Sequence, residues 1–119
     1  MDILEFVGKD PKHIHANAHF QADGKHKSDH KAQPTFKPWD DFHLYSIEWD
    51  ADFIHFAIDE KRFHSFRISK ADTSDGNPFH KPHYLILNLA LGGSWGGPID
   101  NAIFPVQYLV DYVRIYQKG

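Results

Sequence analysis

Two acidic residues near the start of the chain have a spacing that could support acid–base catalysis. Asp2 and Glu5 lie in Asp2–Val7, a short and mostly apolar segment that is typical of a β-strand. Residues three apart on a regular strand point to opposite faces, but a β-bulge at Ile3–Leu4 would bring both carboxylates to one face. Two close carboxylates do not both ionise easily, so one of them can become a general acid near neutral pH. The alternative is two solvated acids at a frayed chain end.

Histidines on the next predicted strand form a second candidate site. Lys12–Phe20 alternates, so that His13, His15, Asn17 and His19 share one face and apolar residues occupy the other. Same-face neighbours on a strand are about 6.5–7 Å apart, which makes it hard for one zinc ion to reach all three imidazoles. A metal-binding jelly roll built on this histidine face nevertheless stays one hypothesis for the function, beside the two that are given below.

Two further residues could contact a ligand. Asn88 is the polar member of the predicted strand His83–Leu91 and lies opposite four leucines, so it would face the open side of a sheet whose leucines form the core. It would there bond a ligand hydroxyl, or else be a satisfied buried amide. Trp95 lies between glycine pairs, which allow close approach, and its ring could stack on a ligand or only pack within its loop. Trp39 and Trp49 are expected to be structural.

The elements that must position these residues are strands throughout. The connection Gln21–Asp40 is polar and is predicted to be a surface loop with room for one short extra strand. No segment has a convincing helical period. Short strands separated by turn signals predict an all-β protein, an antiparallel sandwich or barrel. The seven predicted strands are Asp2–Val7, Lys12–Phe20, Phe42–Trp49, Phe53–Asp59, Arg62–Ile68, His83–Leu91 and Val106–Gln117.

Composition limits the classes of function. The 119 residues are 41% hydrophobic and 24% charged, which suits one globular domain. The net charge is −3 and the 13 basic residues are scattered, which argues against a nucleic-acid partner. Cysteine is absent, so no disulfide or thiolate site forms. The longest apolar stretch, residues 84–91, is too short to cross a bilayer, and no signal segment opens the chain.

Several segments resemble glycoside hydrolase family 16, in its laminarinase-like branch. The opening Asp-Ile-Leu-Glu-Phe-Val-Gly resembles the end of the signature Glu-x-Asp-x-x-Glu of that family. The resemblance covers nearly the whole chain in the expected order. It continues through the alternating strand His13–Phe20, Asp41–Trp49, Tyr84–Gly97, Ile103–Pro105 and Leu109–Gln117.

This resemblance implies a concanavalin A-like jelly roll and retaining hydrolysis without a cofactor. Glu5 takes the position of the acid/base, Asp2 that of the aspartate that tunes the nucleophile, and the nucleophilic glutamate would come one residue before Met1. We therefore expect residues 1–119 to be the C-terminal portion of a catalytic domain that is incomplete at its N-terminus, with the isolated chain marginally stable and inactive. His19 would lie beside the acid/base, and Asp111 would be a ligand of a structural calcium.

The resemblance also implies a partner and a location. The partner would be a β-glucan, bound by His19, Asn88 and Trp95, and the parent protein would be extracellular or periplasmic. The glycosidic linkage stays open. A complementary N-terminal fragment is a second expected partner, and no membrane partner is expected. The alternative function is a non-catalytic carbohydrate-binding remnant that uses Trp95 and the histidine-bearing strand to hold glucan.

Overall fold

The computed structural model describes residues 1–34, 37 and 39–119, so Pro38 of the predicted loop lies outside it. The chain divides into two compact units, residues 1–85 and 86–119, and each is described by itself. The described residues of the first unit form six β-strands and two short 3₁₀ turns. The second unit, all of whose residues are described, contains only a helical turn and a 3₁₀ turn. The all-β class is confirmed. No helix among the described residues is long and apolar enough to span a membrane.

The six strands form two antiparallel sheets whose strand order follows the chain. Short turns explain this order. Asp23 and Gly24 both have positive φ (55° and 67°), the backbone of a tight hairpin, and Asp59 and Glu60 repeat it (47° and 67°). The first sheet contains β1 (Asp2–Phe6), β2 (His13–Ala22) and β3 (Lys25–Pro34), and the second contains β4 (Tyr45–Trp49), β5 (Phe53–Ile58) and β6 (Lys61–Arg67).

The core of the first unit lies between the two sheets. Ala16 and Ala18 of β2 are fully buried in one cluster with aromatic and branched residues of β5 and β6. Their small side chains leave room for the ring of Phe66, whose centroid lies 5.6 Å from that of Phe20 and 5.1 Å from that of Phe79. The unit is therefore a β-sandwich, one of the two architectures that the series of short strands predicted.

The structure corrects the interpretation of Gln21–Asp40 as mainly a loop. Lys25–Pro34 is a ten-residue strand that pairs with β2 along its whole length. Most of its side chains are exposed on both faces. Sequence periodicity depends on one apolar face, so a strand that is polar on both faces gives no such signal.

The strands predicted for His83–Leu91 and Val106–Gln117 are wrong. Neither segment belongs to a ladder, and their large apolar side chains are exposed, including Ile86 (67%) and Ile115 (83%). A strand depends on backbone hydrogen bonds to a neighbouring strand. The residue pattern of a segment does not show whether such a neighbour is present. The predicted start of β4 is also corrected, because Leu44 donates its N–H to the Asp59 carboxylate (3.0 Å) and the strand begins at Tyr45.

Candidate active site

The two acidic residues of β1 lie on one face because the strand bulges between them. Asp2 pairs with Asn17 and Glu5 pairs with His15, so three steps along β1 correspond to two steps along β2. Directly opposed residues of antiparallel strands share a face. Asn17 and His15 are two residues apart and lie on the same face of β2. Both carboxylates therefore lie on that face of the sheet. The bulge predicted at Ile3–Leu4 is confirmed.

His19 completes this acidic site. Its Nε2 atom lies 2.8 Å from the Oδ2 atom of Asp2, and both side chains are a little over one-third exposed. The pKa of the Glu5 carboxyl is raised, first by burial and then by the negative charge of Asp2, while His19 acts in the opposite direction. The two carboxyl groups thus have different surroundings. Glu5 holds a proton more strongly than an ordinary glutamate, and Asp2 faces an imidazole.

Two stacked histidine pairs extend the site from β2 to β3. The Nδ1 atom of His15 lies 2.9 Å from Nε2 of His30, and that of His19 lies 3.1 Å from Nε2 of His26. Both pairs have ring centroids 5.1 Å apart. An N–H···N bond needs one ring nitrogen to donate and the other to accept, so the tautomer of each imidazole is tied to that of its neighbour.

The two residues of β2 that pair with the acids are buried polar groups. His15 is only 7% exposed, and its pKa is lowered, first by burial and then by the nearby His30. Asn17 is 8% exposed, and its Oδ1 atom has no hydrogen-bond partner within the described part of the chain. An unpaired buried acceptor costs about 1–3 kcal/mol. Asn17 is therefore a candidate to accept a hydrogen bond from a water molecule or a ligand hydroxyl.

The other predicted site residues belong to the second unit. Asn88 is exposed and lies outside any strand, so its predicted position opposite four leucines is wrong. Trp95 is 43% exposed and lies in the helical turn Gly93–Gly96. Gly92 immediately precedes this turn with φ = 71°, and a Cβ atom there would lie 3.2 Å from the Ile99 side chain. The glycines next to Trp95 thus serve a tight turn. Contact of Asn88 or Trp95 with a sugar remains a prediction.

The metal-site hypotheses find no support in the geometry. Across residues 1–34, 37 and 39–119, no group of three or more His, Asp or Glu side chains could hold a metal ion. His13 instead contacts both carboxylate oxygens of Asp10 at 3.0 Å, and His15 and His19 contact histidines of β3. Calcium needs six to eight oxygen ligands, and the exposed Asp111 supplies one carboxylate. The role of Asp111 as a calcium ligand remains a prediction.

Two predicted structural tryptophans make contacts with aromatic rings. Trp49 meets the His83 ring edge-on at 5.0 Å, and Trp39 lies tilted against Phe6 at 5.6 Å. Trp39 is 52% exposed and Trp49 37%, so neither belongs to the buried core.

Sequence reasoning missed His26 and His30, because both lie in the segment interpreted as a loop. Their spacing offers only a weak signal, because both faces of the segment are polar. His26, Ser28, His30 and Ala32 alternate with charged residues, which is a period of two. Asn17 was placed on the correct face, but only its burial revealed an acceptor without a partner.

Comparisons with known proteins identify the family to which the chain is similar. The family model for glycosyl hydrolases family 16 matches residues 1–114. A beta-glucanase of Rhodothermus marinus is 35% identical over an alignment of 127 positions, which covers 98% of this chain and 44% of that protein. Glucan endo-1,3-beta-glucosidase A1 of Niallia circulans is 33% identical over an alignment of 132 positions, which covers 99% of this chain and 19% of that protein.

A third relative acts on a different glycan according to its name. A keratan-sulfate endo-1,4-beta-galactosidase of Sphingobacterium multivorum is 40% identical over 78 residues, 65% of this chain and 18% of that protein. The chain thus spans less than half the length of each of these relatives. Its two antiparallel sheets match the jelly-roll β-sandwich expected from the resemblance. The matched residues and the fold together show that the chain belongs to the glycosyl hydrolases, family 16.

Proposed function

We propose that this chain provides the acid/base half of an active site that hydrolyses the glycosidic bonds of a β-glucan. The observation that carries the proposal is the bulge of β1, which brings Asp2 and Glu5 to one face beside His19. The family and the names of the relatives support glycan hydrolysis in general. The β-glucan substrate rests on the two glucanase relatives.

Glu5 has the environment of a general acid. Burial and the Asp2 charge raise its pKa, so its carboxyl can give a proton to the glycosidic oxygen as the bond from that oxygen to the anomeric carbon breaks. In a retaining mechanism a second carboxylate attacks the anomeric carbon and forms a glycosyl ester. Glu5 then takes a proton from the water that hydrolyses this ester, and returns to its starting state.

Asp2 and His19 are proposed to support these two steps. Asp2 holds a negative charge close to Glu5, which favours the protonated acid, and its contact with His19 fixes its own position. The nucleophile is proposed to be the first glutamate of the family signature, one position before Met1 and so outside these 119 residues. We accordingly propose that the 119-residue polypeptide by itself does not turn over glucan.

A comparison of substrates tests the role of Glu5 in a polypeptide that also contains the preceding glutamate. Glu5→Gln should lower turnover of laminarin by about 10²–10⁴-fold, the usual contribution of a general acid. It should leave the first step on an aryl glycoside with a good leaving group nearly unchanged, because that group needs no proton. Glu60→Gln, in an exposed turn, is the matched control. Equal losses on both substrates would contradict the assignment of Glu5.

Two further measurements complete the test. NMR of the first product released from laminarin should show the β-anomer, as retention requires, and the α-anomer would contradict the mechanism. Release of reducing ends by the 119-residue polypeptide would contradict its proposed inactivity. Binding of glucan without turnover, in the polypeptide that contains the preceding glutamate, would favour the carbohydrate-binding alternative.

A further inference from the structure

The Asp2 carboxylate begins a chain of contacts that runs across three strands. Its Oδ2 atom lies 2.8 Å from Nε2 of His19, and Nδ1 of His19 lies 3.1 Å from Nε2 of His26. The rings of the two histidines are stacked, with an interplanar angle of 27°. Both nitrogens of His19 are therefore engaged, one by a β1 residue and the other by an exposed residue of β3.

We propose that His26 is a positioning residue that holds the His19 ring in the orientation in which its Nε2 atom meets Asp2. This inference rests on the proposed function, since it concerns the residues next to the acid/base. His26 contacts His19 and not the reacting atoms. Its effect on chemistry passes through His19 and Asp2.

The chemistry of imidazole makes His26 suited to this role in both charge states of His19. When His19 is neutral, His26 donates its Nε2–H to Nδ1, which leaves the His19 proton on Nε2, directed at Asp2. When His19 is protonated, it donates from both nitrogens and Nε2 of His26 accepts. A residue that can both donate and accept thus keeps one ring orientation through a change of charge.

The β2–β3 register explains why His26 reaches His19. His19 pairs with Ser28 and Gln21 pairs with His26, so the two imidazoles are diagonal neighbours on one face. His15 and His30 have the same diagonal relation. The repeat shows that register and strand twist produce the contact, and the Asp23–Gly24 turn fixes that register.

Orientation of His19 has a consequence at Glu5. Burial is the largest cause of the raised pKa of Glu5, and the negative charge of Asp2 is the second. His19 lowers this pKa. The charged groups that act on the Glu5 carboxyl are Asp2, which raises its pKa, and His19 and the α-amino group of Met1, which both lower it. An imidazole that rotates away from Asp2 would weaken the opposing effect of His19, and the pKa of Glu5 would rise further.

NMR of the 119-residue chain tests the proposal without any need for activity. In the wild type, the imidazole ¹⁵N spectrum of neutral His19 should show the Nε2–H tautomer alone. His26→Gln keeps an N–H donor at the same position and should preserve this tautomer. His26→Ala removes the donor and should give a tautomer mixture, together with an upward shift of the Glu5 titration measured by its ¹³C carboxyl signal.

The control is His55→Gln, because His55 bonds Ser65 on the other sheet (2.8 Å). It should change neither signal. His26→Val replaces His26→Ala if the alanine variant loosens β3, since a β-branched residue suits a strand. The proposal is overturned if removal of the donor leaves the His19 tautomer and the Glu5 titration at their wild-type values. That result would leave the proposed role of Glu5 unaffected, because the substrate comparison tests that role separately.

Discussion

At the scale of single residues, Glu5 should lower the stability of the fold for the same reason that it can act as an acid. Burial is the main reason that the pKa of this carboxyl is raised in the folded chain above its usual value of 4.5. Between pH 4.5 and this raised pKa, Glu5 holds its proton more often in the folded state than in the unfolded state. The free energy of unfolding therefore falls as the pH rises from 4.5 through the raised pKa. Glu5→Gln, which carries no charge, should therefore be more stable than the wild type at pH 7.

Urea unfolding of Glu5→Gln and wild type at several pH values checks this prediction. The difference between them should shrink as the pH falls from 7 towards 4, where Glu5 is protonated in both states. Glu60→Gln controls for the loss of one negative charge. A variant less stable than the wild type at pH 7 would be inconsistent with a glutamate that burial disfavours.

His15 has the opposite dependence on pH. Burial lowers its pKa below 6.5 in the folded state, so the unfolded chain takes up this proton first as the pH falls. The stability associated with a neutral His15 is present above pH 6.5 and is lost as the pH falls below that value. His15→Gln should have a flatter profile of unfolding free energy between pH 7.5 and 5.5 than the wild type. Parallel profiles would show that His15 does not contribute.

At the scale of elements, contact between the two sheets depends on Phe66 of β6. Its side chain is fully buried between the rings of Phe20 and Phe79. Phe66→Ala should lower the free energy of unfolding by about 3–5 kcal/mol, because it removes buried area and leaves a cavity. Phe42→Ala, at a 63% exposed position, should change it by about 0.5 kcal/mol or less. Equal effects in chemical denaturation would contradict the sandwich core.

At the scale of the whole molecule, burial is distributed unevenly between the two units. Every residue of the buried core lies between positions 7 and 79, and residues 86–119 contribute none to it. Amide protection follows burial and hydrogen bonding. Hydrogen exchange followed by mass spectrometry should therefore show exchange within seconds in peptides from residues 86–119, and slow exchange in β2 and β5. Equal protection of both units would refute this distribution.

The sequence alone predicted those features that arise within one strand. The alternation of Lys12–Phe20 separated its apolar face from its histidine face, because successive side chains of a strand point to opposite sides. The spacing of Asp2 and Glu5 required a bulge if both were to face one way, and the structure has it. The family resemblance also came from local motifs, and the family match confirms it.

Only the tertiary structure revealed the features that depend on contact with a neighbouring strand. β3 is polar on both faces, so only its pairing with β2 revealed it, and with it the contact of His26 with His19. Residues 84–91 have the pattern of a strand but form none, because a strand exists only where another backbone accepts its hydrogen bonds. The sequence by itself determined which face each side chain of a strand occupies, and tertiary structure decided which segments are strands and which of their side chains meet.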